Sequence, residues 1–489
     1  MPLRLLLCTL LLVTATAFSQ VTFTSNTLRA SGPTVTGDFN RDGHPDLAVL
    51  NTSGDGHLYV YFGVGDGNFN LAFINDNVPT SMTEMHTADF NNDGILDLVL
   101  TSSQGTAGYI LYGTADGNFT SGPVINFAKD VQQVQLGDVN NDGKVDIVAT
   151  ECTPFYTLPC QIETKLNKGN GVFADSQTLA LSQVPQQTAV ADINRDGKLD
   201  LITAFAQPPG STGRVQIYRG NGDGTFSPLS SITVPVVCTN TIMCSDYVSG
   251  FVMADFYNDT NLHLVLFQSH LTPSGDGAGT GSLYTYKNNG SGTYTLAHAT
   301  SVSQAETSIL AADLNVDEKQ DLMVNDGAIR ATNAYYLLGN GNGTFQVPIT
   351  APWDVSDGGL ALTRDLELTS RPDVISTSGP YGEPYTMINL NTTDSSNCPP
   401  PGSDKLAAKI CTPVSGGTSP ATVTVRASGN SPAGVQRLEI WIDGVKRGER
   451  WADQIAESFT LSAGSHRVTV VAVDQYLGYA KSTVSITTQ

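Results

Sequence analysis

The stretch that decides the fold is Asp38-Phe-Asn-Arg-Asp-Gly-His-Pro-Asp46, which is followed at once by the apolar run Leu47-Ala-Val-Leu50. The same nine-residue pattern returns at 89–97, 138–146, 192–200, 255–263 and 313–321, and a decayed seventh copy spans 365–373. The first aspartates of successive copies are 51, 49, 54, 63, 58 and 52 residues apart. This period is typical of the four-stranded blade of a β-propeller.

Each intact copy offers hard oxygen ligands at alternating positions, which is what calcium requires. Side chains at positions 1, 3, 5 and 9 and the carbonyl at position 7 can converge on one ion. The pattern is not an EF-hand, because position 12 is Val49 where that motif has a glutamate, and because the flanks alternate like strands. A single copy would also fit a solvated Asn-Asp-Gly hairpin turn, but five copies favour an ion site. The sequence therefore predicts about five calcium ions (Ca²⁺), one per intact loop.

The predicted metal ligands are Asp38, Asn40, Asp42, His44 and Asp46; Asp89, Asn91, Asp93, Ile95 and Asp97; Asp138, Asn140, Asp142, Lys144 and Asp146; Asp192, Asn194, Asp196, Lys198 and Asp200; and Asp313, Asn315, Asp317, Lys319 and Asp321. The fifth copy has Tyr257 and His263 in place of an amide and an acid, so we expect no ion there. The sixth keeps all its ligands although Glu318 replaces the turn glycine. In the seventh, Thr369 stands at position 5, and whether it holds an ion stays open.

A second marker, a glycine-rich turn followed by an aromatic residue, occurs at 65–69, 116–119, 169–173, 222–226, 290–294 and 341–345. Such turns join antiparallel strands. Each unit is therefore predicted to run strand A, acidic loop, strand B, connection, strand C, glycine turn, strand D. The seventh unit has A, B and C strands at 359–364, 374–376 and 387–390 but no strand D. We expect the segment from Val21, with Phe23 as its aromatic, to supply that strand and close the ring.

The loops and the Gly-x-Gly-x-Phe turns resemble the FG-GAP/VCBS repeat family, whose best-known relative is the integrin α-subunit propeller. The resemblance covers roughly residues 21–395. It implies a seven-bladed propeller with calcium in the A–B loops. It leaves the function open, because such propellers occur in adhesion proteins, in lectin-like proteins and beside hydrolases or lyases.

The predicted fold class is all-β: a seven-bladed β-propeller followed by a small Ig-like β-sandwich. Residues 1–19 have the character of a secretory signal peptide, 20–395 form the propeller, 396–404 a linker and 405–489 the sandwich. The sandwich shows alternating runs and an Asp443-Gly444 turn, and we expect its Trp441 in the core. We expect a secreted, extracellular or cell-surface protein with no transmembrane segment.

Apart from Cys8, the cysteines fall into three sequence-local pairs, Cys152/Cys160, Cys238/Cys244 and Cys398/Cys411. An even number in an exported chain predicts disulfide bonds. Reduced cysteines or a zinc site are the alternatives, but no histidine cluster accompanies them.

The formal net charge of −21 argues against nucleic acid as a partner. Much of this charge lies in the acidic loops. Five intact loops hold fifteen aspartates, and five calcium ions would bring the charge to −21 + 10 = −11.

The predicted chain insertions gather on the face opposite the acidic loops. They carry the candidate ligand-binding aromatics Phe155, Tyr156, Tyr247, Trp353 and Tyr381, which could stack on sugars or anchor a protein, or could simply cover the end of the propeller. No catalytic motif is present. We therefore favour a non-catalytic adhesion or recognition module for an extracellular protein or glycan, of open oligomeric state. The alternatives are a polysaccharide lyase or hydrolase acting through the insertion face, and a purely structural envelope protein.

Overall fold

The computed structural model describes residues 21–488 apart from several segments. These are 22, 29, 31, 53–55, 77, 80, 155–156, 207–211, 238–244, 272–279, 303–305, 316, 327–332, 355–359, 365, 367–371, 379–384, 392–404, 432–434, 451–453 and 475–478. The expected signal peptide and linker lie outside the described residues.

Residues 23–391 form seven four-stranded antiparallel sheets within the described part of the chain. Blade one contains β2 (Thr34–Gly37), β3 (Asp46–Leu50), β4 (Leu58–Gly63) and β5 (Phe69–Asn75). Blade two contains β6 (Glu84–Ala88), β7 (Asp97–Thr101), β8 (Ala107–Gly113) and β9 (Phe119–Asn126). Blade three contains β10 (Asp130–Gly137), β11 (Asp146–Thr153), β12 (Thr157–Asn167) and β13 (Phe173–Leu181). Blade four contains β14 (Pro185–Ala191), β15 (Asp200–Phe205), β16 (Gly213–Gly220) and β17 (Phe226–Val234).

The remaining blades follow the same plan. Blade five contains β18 (Ser245–Ala254), β19 (His263–Leu271), β20 (Thr280–Asn288) and β21 (Tyr294–Val302). Blade six contains β22 (Glu306–Ala312), β23 (Asp321–Asp326), β24 (Asn333–Leu337) and β25 (Ile349–Asp354). Blade seven contains β26 (Leu360–Arg364), β27 (Asp373–Ser378), β28 (Tyr385–Asn391) and, from the start of the chain, β1 (Phe23–Leu28).

Blade seven closes the ring in the way the sequence predicts. β1 pairs antiparallel with β28, from Phe23 opposite Asn391 to Leu28 opposite Thr386. First strands of successive blades contact one another from β2 through β26. Joining the first and last strands of the propeller in one sheet is the usual way in which a propeller avoids an open sheet edge. The molecule is an all-β propeller.

The core lies between the blades because each strand B carries a run of apolar residues after its first position. β3 and β7 are buried at every position, so neither face of these strands reaches water. Ala48 and Leu50 of blade one pack with Leu98 and Leu100 of blade two in one cluster. Strands covered on both faces read as continuous apolar runs, which explains the sequence after each acidic loop.

The aromatic of the glycine turn joins neighbouring blades. Phe119 of blade two packs edge-on against Phe39 in the acidic loop of blade one, with ring centroids 5.3 Å apart. The same contact joins Phe173 to Phe90 at 6.1 Å and Phe345 to Phe256 at 5.6 Å. The phenylalanine at position 2 of the acidic loop thus packs against the glycine-turn aromatic of the next blade.

β11 and β12 are longer than the corresponding strands of blades one and two, and their pairing continues to Thr153 and Thr157. A Cys152–Cys160 disulfide joins the two strands, as the cysteine pairing predicts. Cys411 is also disulfide-bonded. Cys238, Cys244 and Cys398 lie outside the described residues.

Residues 407–488 form a two-sheet β-sandwich. Its strands are β29 (Ala407–Thr412), β30 (Thr418–Ser419), β31 (Thr422–Asn430), β32 (Val435–Ile442), β33 (Val445–Arg450), β34 (Gln454–Thr460), β35 (Gly464–Asp474) and β36 (Tyr479–Thr488). The sheets have the strand orders β29-β31-β34 and β30-β36-β35-β32-β33. The Asp443-Gly444 pair forms the tight turn between β32 and β33, with φ values of 52° and 81°.

The expectation that Trp441 belongs to the sandwich core is wrong. Alternation along β32 directs Leu438, Ile440 and Ile442 into the core. Trp441 falls on the other face, is half-buried and lines a surface groove.

Within the described part of the chain, no helix is long and apolar enough to span a membrane.

Candidate metal loops and a candidate binding groove

In each intact loop, the side-chain oxygens at positions 1 and 3 lie close together. In the first loop Asp38 Oδ1 and Asn40 Oδ1 both accept the N–H of Asp42, at 3.0 and 2.9 Å. In all five intact loops these two distances lie between 2.8 and 3.2 Å. Two hard oxygens that converge on one N–H lie side by side, which suits a cation that binds several oxygens at once.

The turn at position 6 folds the loop around the carboxylate at position 1. Asp38 Oδ2 accepts the Gly43 N–H at 3.0 Å, and Gly43 has a φ of 88°. The sixth loop makes the same bond from Glu318 to Asp313 at 2.7 Å, although Glu318 must adopt a φ of 66° to do so. The sixth loop therefore keeps the backbone frame of the others despite losing the glycine.

The aspartate at position 9 connects the loop to the end of strand C through hydrogen bonds. Asp46 is fully buried; its Oδ2 accepts the Phe39 N–H at 2.8 Å and its Oδ1 the Gly63 N–H at 2.9 Å. The same pair of bonds is made by Asp97, Asp146, Asp200, Asp321 and Asp373. From the sequence, position 9 was predicted only to bind the metal. This structural role was missed because the partner on strand C lies 17 residues away in the first blade.

Burial makes the negative charge of position 9 unfavourable unless a cation is near. It raises the pKa of Asp46, Asp97 and Asp146 to about 6, and that of Asp321 to about 8. Among the described residues, no basic side chain forms an ion pair with an aspartate of the first, second or fourth loop. Lys144 and Lys319 pair with Asp142 and Asp317 in the third and sixth loops, at 3.3 and 2.9 Å. The oxygen-only donor set of all five intact loops, and the missing countercharge of the first, second and fourth, fit calcium.

The fifth loop keeps the backbone hydrogen bonds of the other loops, but a histidine replaces the aspartate at position 9. Asp255 still accepts the N–H groups of Asp259 and Thr260, at 3.0 and 2.6 Å. His263 stands at position 9, is fully buried, and accepts the Asn288 N–H on Nδ1 at 3.1 Å. Its Nε2 lies 2.9 Å from Asp259 Oδ1.

The hydrogen bonds of His263 assign its proton. Burial lowers the pKa of His263, so the neutral imidazole is favoured. A neutral ring whose Nδ1 accepts a hydrogen bond carries its proton on Nε2, which then donates to Asp259. Ligand atoms of Asp255, Asp259 and His263 lie within 4.8 Å of one another, but a protonated Nε2 offers a metal no lone pair. Lys287 adds a positive charge 3.5 Å from Asp259 and 4.3 Å from the centre of the Tyr257 ring.

Several predicted residues cannot be placed in a site. Phe155, Tyr156 and Tyr381 lie outside the described residues. Tyr247 and Trp353 belong to β18 and β25, but the structure describes only their backbone. Of the seventh loop only Leu366 and the residues from 372 onwards are described. The aromatic ligand-binding set therefore stays a prediction.

An acid pair is buried inside blade three. Glu151 and Glu163 are 0% and 5% exposed, and Lys165 Nζ lies 2.8 Å from Glu163 and 2.6 Å from Asp175. Burial and the neighbouring Glu163 raise the pKa of Glu151 to about 8. Glu163 is already ion-paired with Lys165, and Glu151 accepts hydrogen bonds from the Lys129 N–H and from Gln161 Nε2, at 3.0 Å each, so the pair gives no support to glycoside chemistry.

The sandwich carries a groove of about 670 Å³ on the outer face of its five-stranded sheet. Strand register sets its residues in rows: Arg437, Val473 and Tyr479; Glu439, Val471 and Lys481; Trp441, Thr469 and Thr483. Val471 and Val473 form a buried apolar floor, and Tyr479 is 66% exposed at the edge. Arg467 completes the lining at one end.

The groove has unneutralised positive charge. Glu439 accepts hydrogen bonds from Arg437 at 3.0 Å, Lys446 at 3.0 Å and Trp441 Nε1 at 3.1 Å, and these contacts lower its pKa although burial opposes them. Among the described residues, Arg467 and Lys481 form no ion pair, and Lys481 lies over the Tyr479 ring at 5.3 Å. The surface combines two aromatic side chains with free cations.

Comparison with known proteins supports the repeat assignment. The family described as FG-GAP-like repeat matches residues 38–100, 89–149 and 192–266. No curated protein matches the sequence. Three similar solved structures are a Lactobacillus plantarum protein (11% identity, 64% of this chain and 84% of that chain, TM-score 0.45), the Dos1 propeller (10%, 76% and 96%, 0.42) and a periplasmic gluconolactonase from Pseudomonas aeruginosa (13%, 65% and 85%, 0.42). The chain folds as a β-propeller of four-stranded sheets, and its residues 38–149 and 192–266 match the FG-GAP-like repeat.

Proposed function

We propose that the protein is an exported, calcium-stabilised recognition module that binds an extracellular glycan. The observation that carries the calcium assignment is the shared geometry of five acidic loops, in which side-chain oxygens at positions 1 and 3 converge beside a buried carboxylate at position 9. Such oxygen cages stabilise a fold by binding the folded state alone. The seven-bladed ring is then the scaffold, and its Ig-like partner domain carries the described binding surface.

The sandwich groove supports the choice of ligand through its charge. Residues 405–489 contain nine Lys and Arg and six Asp and Glu, a net charge of +3, which leaves 1–404 with −21 − 3 = −24. A basic patch on an otherwise acidic chain favours an anionic partner. Aromatic side chains such as Trp441 and Tyr479 offer flat apolar faces to sugar rings. We therefore favour an acidic polysaccharide over a neutral glycan, a protein or a nucleic acid.

A binding assay on the full-length protein tests this choice. Polygalacturonate and an uncharged polysaccharide of similar size are compared by calorimetry in calcium at about 2 mM, which should occupy extracellular-type sites. We expect binding to polygalacturonate only. The variant Arg467→Glu with Lys481→Glu should weaken it more than about tenfold, because charge-assisted contacts contribute roughly 1.5–3 kcal/mol each.

The matched control is Lys168→Glu with Arg219→Glu, which changes the net charge equally at exposed sites of the propeller. This variant should bind like the original protein. Equal binding of the neutral polymer, equal loss in both variants, or stronger binding of a single-stranded oligonucleotide would contradict the proposal. Unchanged melting in chelator would separately remove the calcium assignment.

The competing proposal, a structural envelope protein, predicts no saturable ligand in either condition. If the assay detects no saturable binding of either polysaccharide, the structural role is favoured over the recognition role.

A further inference from the structure

Blade five brings an aspartate, a histidine and a serine together from three strands. Asp246 on β18 is the register partner of His270 on β19, and Ser282 on β20 lies beside them. His270 Nδ1 lies 2.6 Å from Asp246 Oδ1, and His270 Nε2 lies 2.8 Å from Ser282 Oγ. The residues are separated by 24 and 12 positions in the chain, so no local sequence motif reveals them.

The hydrogen bonds fix the direction of the proton relay. A carboxylate can only accept, so Asp246 Oδ1 receives the proton of His270 Nδ1, and its Oδ2 accepts the Val237 N–H at 2.9 Å. When the ring is neutral, a proton on Nδ1 leaves the lone pair on Nε2, which lies 2.8 Å from Ser282 Oγ. This is the tautomer in which an imidazole acts as a general base towards a serine.

A hydroxyl donor stands next to the serine. Tyr284 follows two residues later on β20, on the same face of the strand as Ser282, and is 4% exposed. Burial raises the pKa of Tyr284 above its ordinary value, so the hydroxyl keeps its proton. A tyrosine hydroxyl is one of the side-chain donors that stabilise an oxyanion.

We propose that Ser282, His270 and Asp246 are the nucleophile, general base and orienting acid of an acyl-ester hydrolase site. Tyr284 is the oxyanion donor. The arrangement matches the serine–histidine–aspartate constellation in its atoms and distances rather than in any sequence motif, which is how that constellation is recognised on unrelated folds.

The chemistry balances with water as the only co-reactant. Ser282 Oγ attacks the ester carbonyl carbon while its proton passes to His270 Nε2, and the carbonyl oxygen takes the negative charge beside Tyr284. Collapse of this intermediate breaks the bond to the leaving alkoxide, which takes the proton from Nε2 and departs as the alcohol. Water then gives a proton to Nε2 and attacks the acyl carbon, and return of that proton to Ser282 Oγ releases the carboxylic acid.

Burial limits the acyl group. Ser282 is 8% exposed and His270 is 4% exposed. Val248, Phe251 and Tyr284 pack in the apolar cluster of this face. A short acyl group such as acetyl is therefore the substrate class we infer, rather than a long-chain ester.

This site is independent of the proposed calcium loops. His263 of the fifth loop and His270 stand at opposite ends of β19. Seven residues of extended strand separate them by about 23 Å. Loss of calcium binding or of glycan binding would therefore leave this inference standing, and its failure would leave them standing.

The strand also supplies a matched control. Ser269 is buried at 4% exposure and hydrogen-bonds Ser249 Oγ at 2.6 Å, but it lies on the opposite face of β19 from His270. Ser269→Ala and Ser282→Ala thus remove the same atom from two buried serines of one blade. Of these two serines, only Ser282 has its Oγ beside His270 Nε2.

The test uses the full-length protein with a fluorophosphonate probe and a series of p-nitrophenyl esters. We expect the probe to label Ser282, as located by peptide mass spectrometry, and acetate to be hydrolysed faster than octanoate. Ser282→Ala should abolish both signals, and Asp246→Asn should lower kcat by on the order of 10³–10⁴ while it leaves KM nearly unchanged. Ser269→Ala should retain both.

Thermal melting of every variant accompanies the assay, so that a loss of fold is not read as a loss of chemistry. If the folded original protein leaves Ser282 unlabelled and hydrolyses no ester, or if His270→Gln does not reduce labelling, the inference fails. The three residues are then a buried polar network that fixes blade five.

Discussion

The second and fifth acidic loops have the same backbone frame but different countercharges. In both, the aspartate at position 1 accepts the N–H groups of positions 5 and 6: Asp89 at 3.2 and 2.8 Å, and Asp255 at 3.0 and 2.6 Å. The second loop ends in the buried Asp97, with no basic partner among the described residues. The fifth ends in His263, whose Nε2 proton faces Asp259, with Lys287 beside it. The fifth loop thus keeps this shape with side-chain donors beside its acids, and we propose that a divalent cation takes their place in the second loop.

The largest expected effect of this difference is the loss of stability in chelator. At about tenfold excess over the dissociation constant, each calcium ion adds roughly 1.4 kcal/mol, so five ions add about 7 kcal/mol. This is comparable with the whole stability of a typical domain. Differential scanning calorimetry of the full chain in calcium and in chelator measures it. Superimposable traces would refute a stabilising role for calcium.

Acidity should act in opposite directions on the two kinds of loop once calcium is removed. The folded pKa of Asp46 is raised to about 6 by burial, so its loop loses stability as pH rises from 3.8 towards 6. The folded pKa of His263 is lowered, so the fifth loop loses stability as pH falls below 6.5.

Urea unfolding across pH in chelator separates the two effects. Asp46→Asn should remove the first loop's share of the first dependence, while Asp97 and Asp146 keep theirs, and His263→Asn should remove the second. If both variants remove the pH dependence of the free energy of unfolding over the same pH range, the assigned protonation states are wrong.

A pair of matched alanine variants sharpens the comparison further. Asp89→Ala and Asp255→Ala remove carboxylates of similar exposure that accept the same two backbone N–H groups. In chelator we expect similar destabilisation. In calcium, Asp89→Ala should cost about 1.4 kcal/mol more, because it also removes an ion. An equal calcium response of the two variants would break the distinction between the loops.

The smallest effect concerns the turn of the fifth loop. Thr260 has a φ of 69°, a conformation that costs a non-glycine residue about 1 kcal/mol or more. Thr260→Gly should therefore raise the free energy of unfolding by about 1 kcal/mol, with Thr260→Ala as the control that keeps a Cβ. Chemical denaturation detects this, and a gain of equal size in the alanine variant would contradict the explanation.

Regular features of the fold were predictable because they repeat. The spacing of the loops, the glycine turns and the missing seventh strand D together indicated a ring closed by β1, and the pairing of Phe23 with Asn391 confirms it. The place of Trp441 was also predictable in principle. It shares a strand face with Arg437 and Glu439, whereas the apolar alternates Leu438 and Ile440 fill the core.

Contacts between distant strands could not be predicted in this way. The bond from Asp46 to Gly63 depends on where strand C ends, and the packing of Phe119 on Phe39 depends on how blades stack. The Asp246–His270–Ser282 cluster needs three strands in register. A single sequence records residue types and spacing, but register and blade stacking are set by the whole sheet.

The most direct test of the account is to count bound calcium ions by calorimetric titration of the metal-stripped full chain. We predict five ions for the original protein, one per intact loop. The variant Tyr257→Asn, Thr260→Gly, His263→Asp, which rewrites the fifth loop in the pattern of the others, should bind one more. No calcium binding, or equal counts for the two proteins, would contradict the assignment of the ions to these loops.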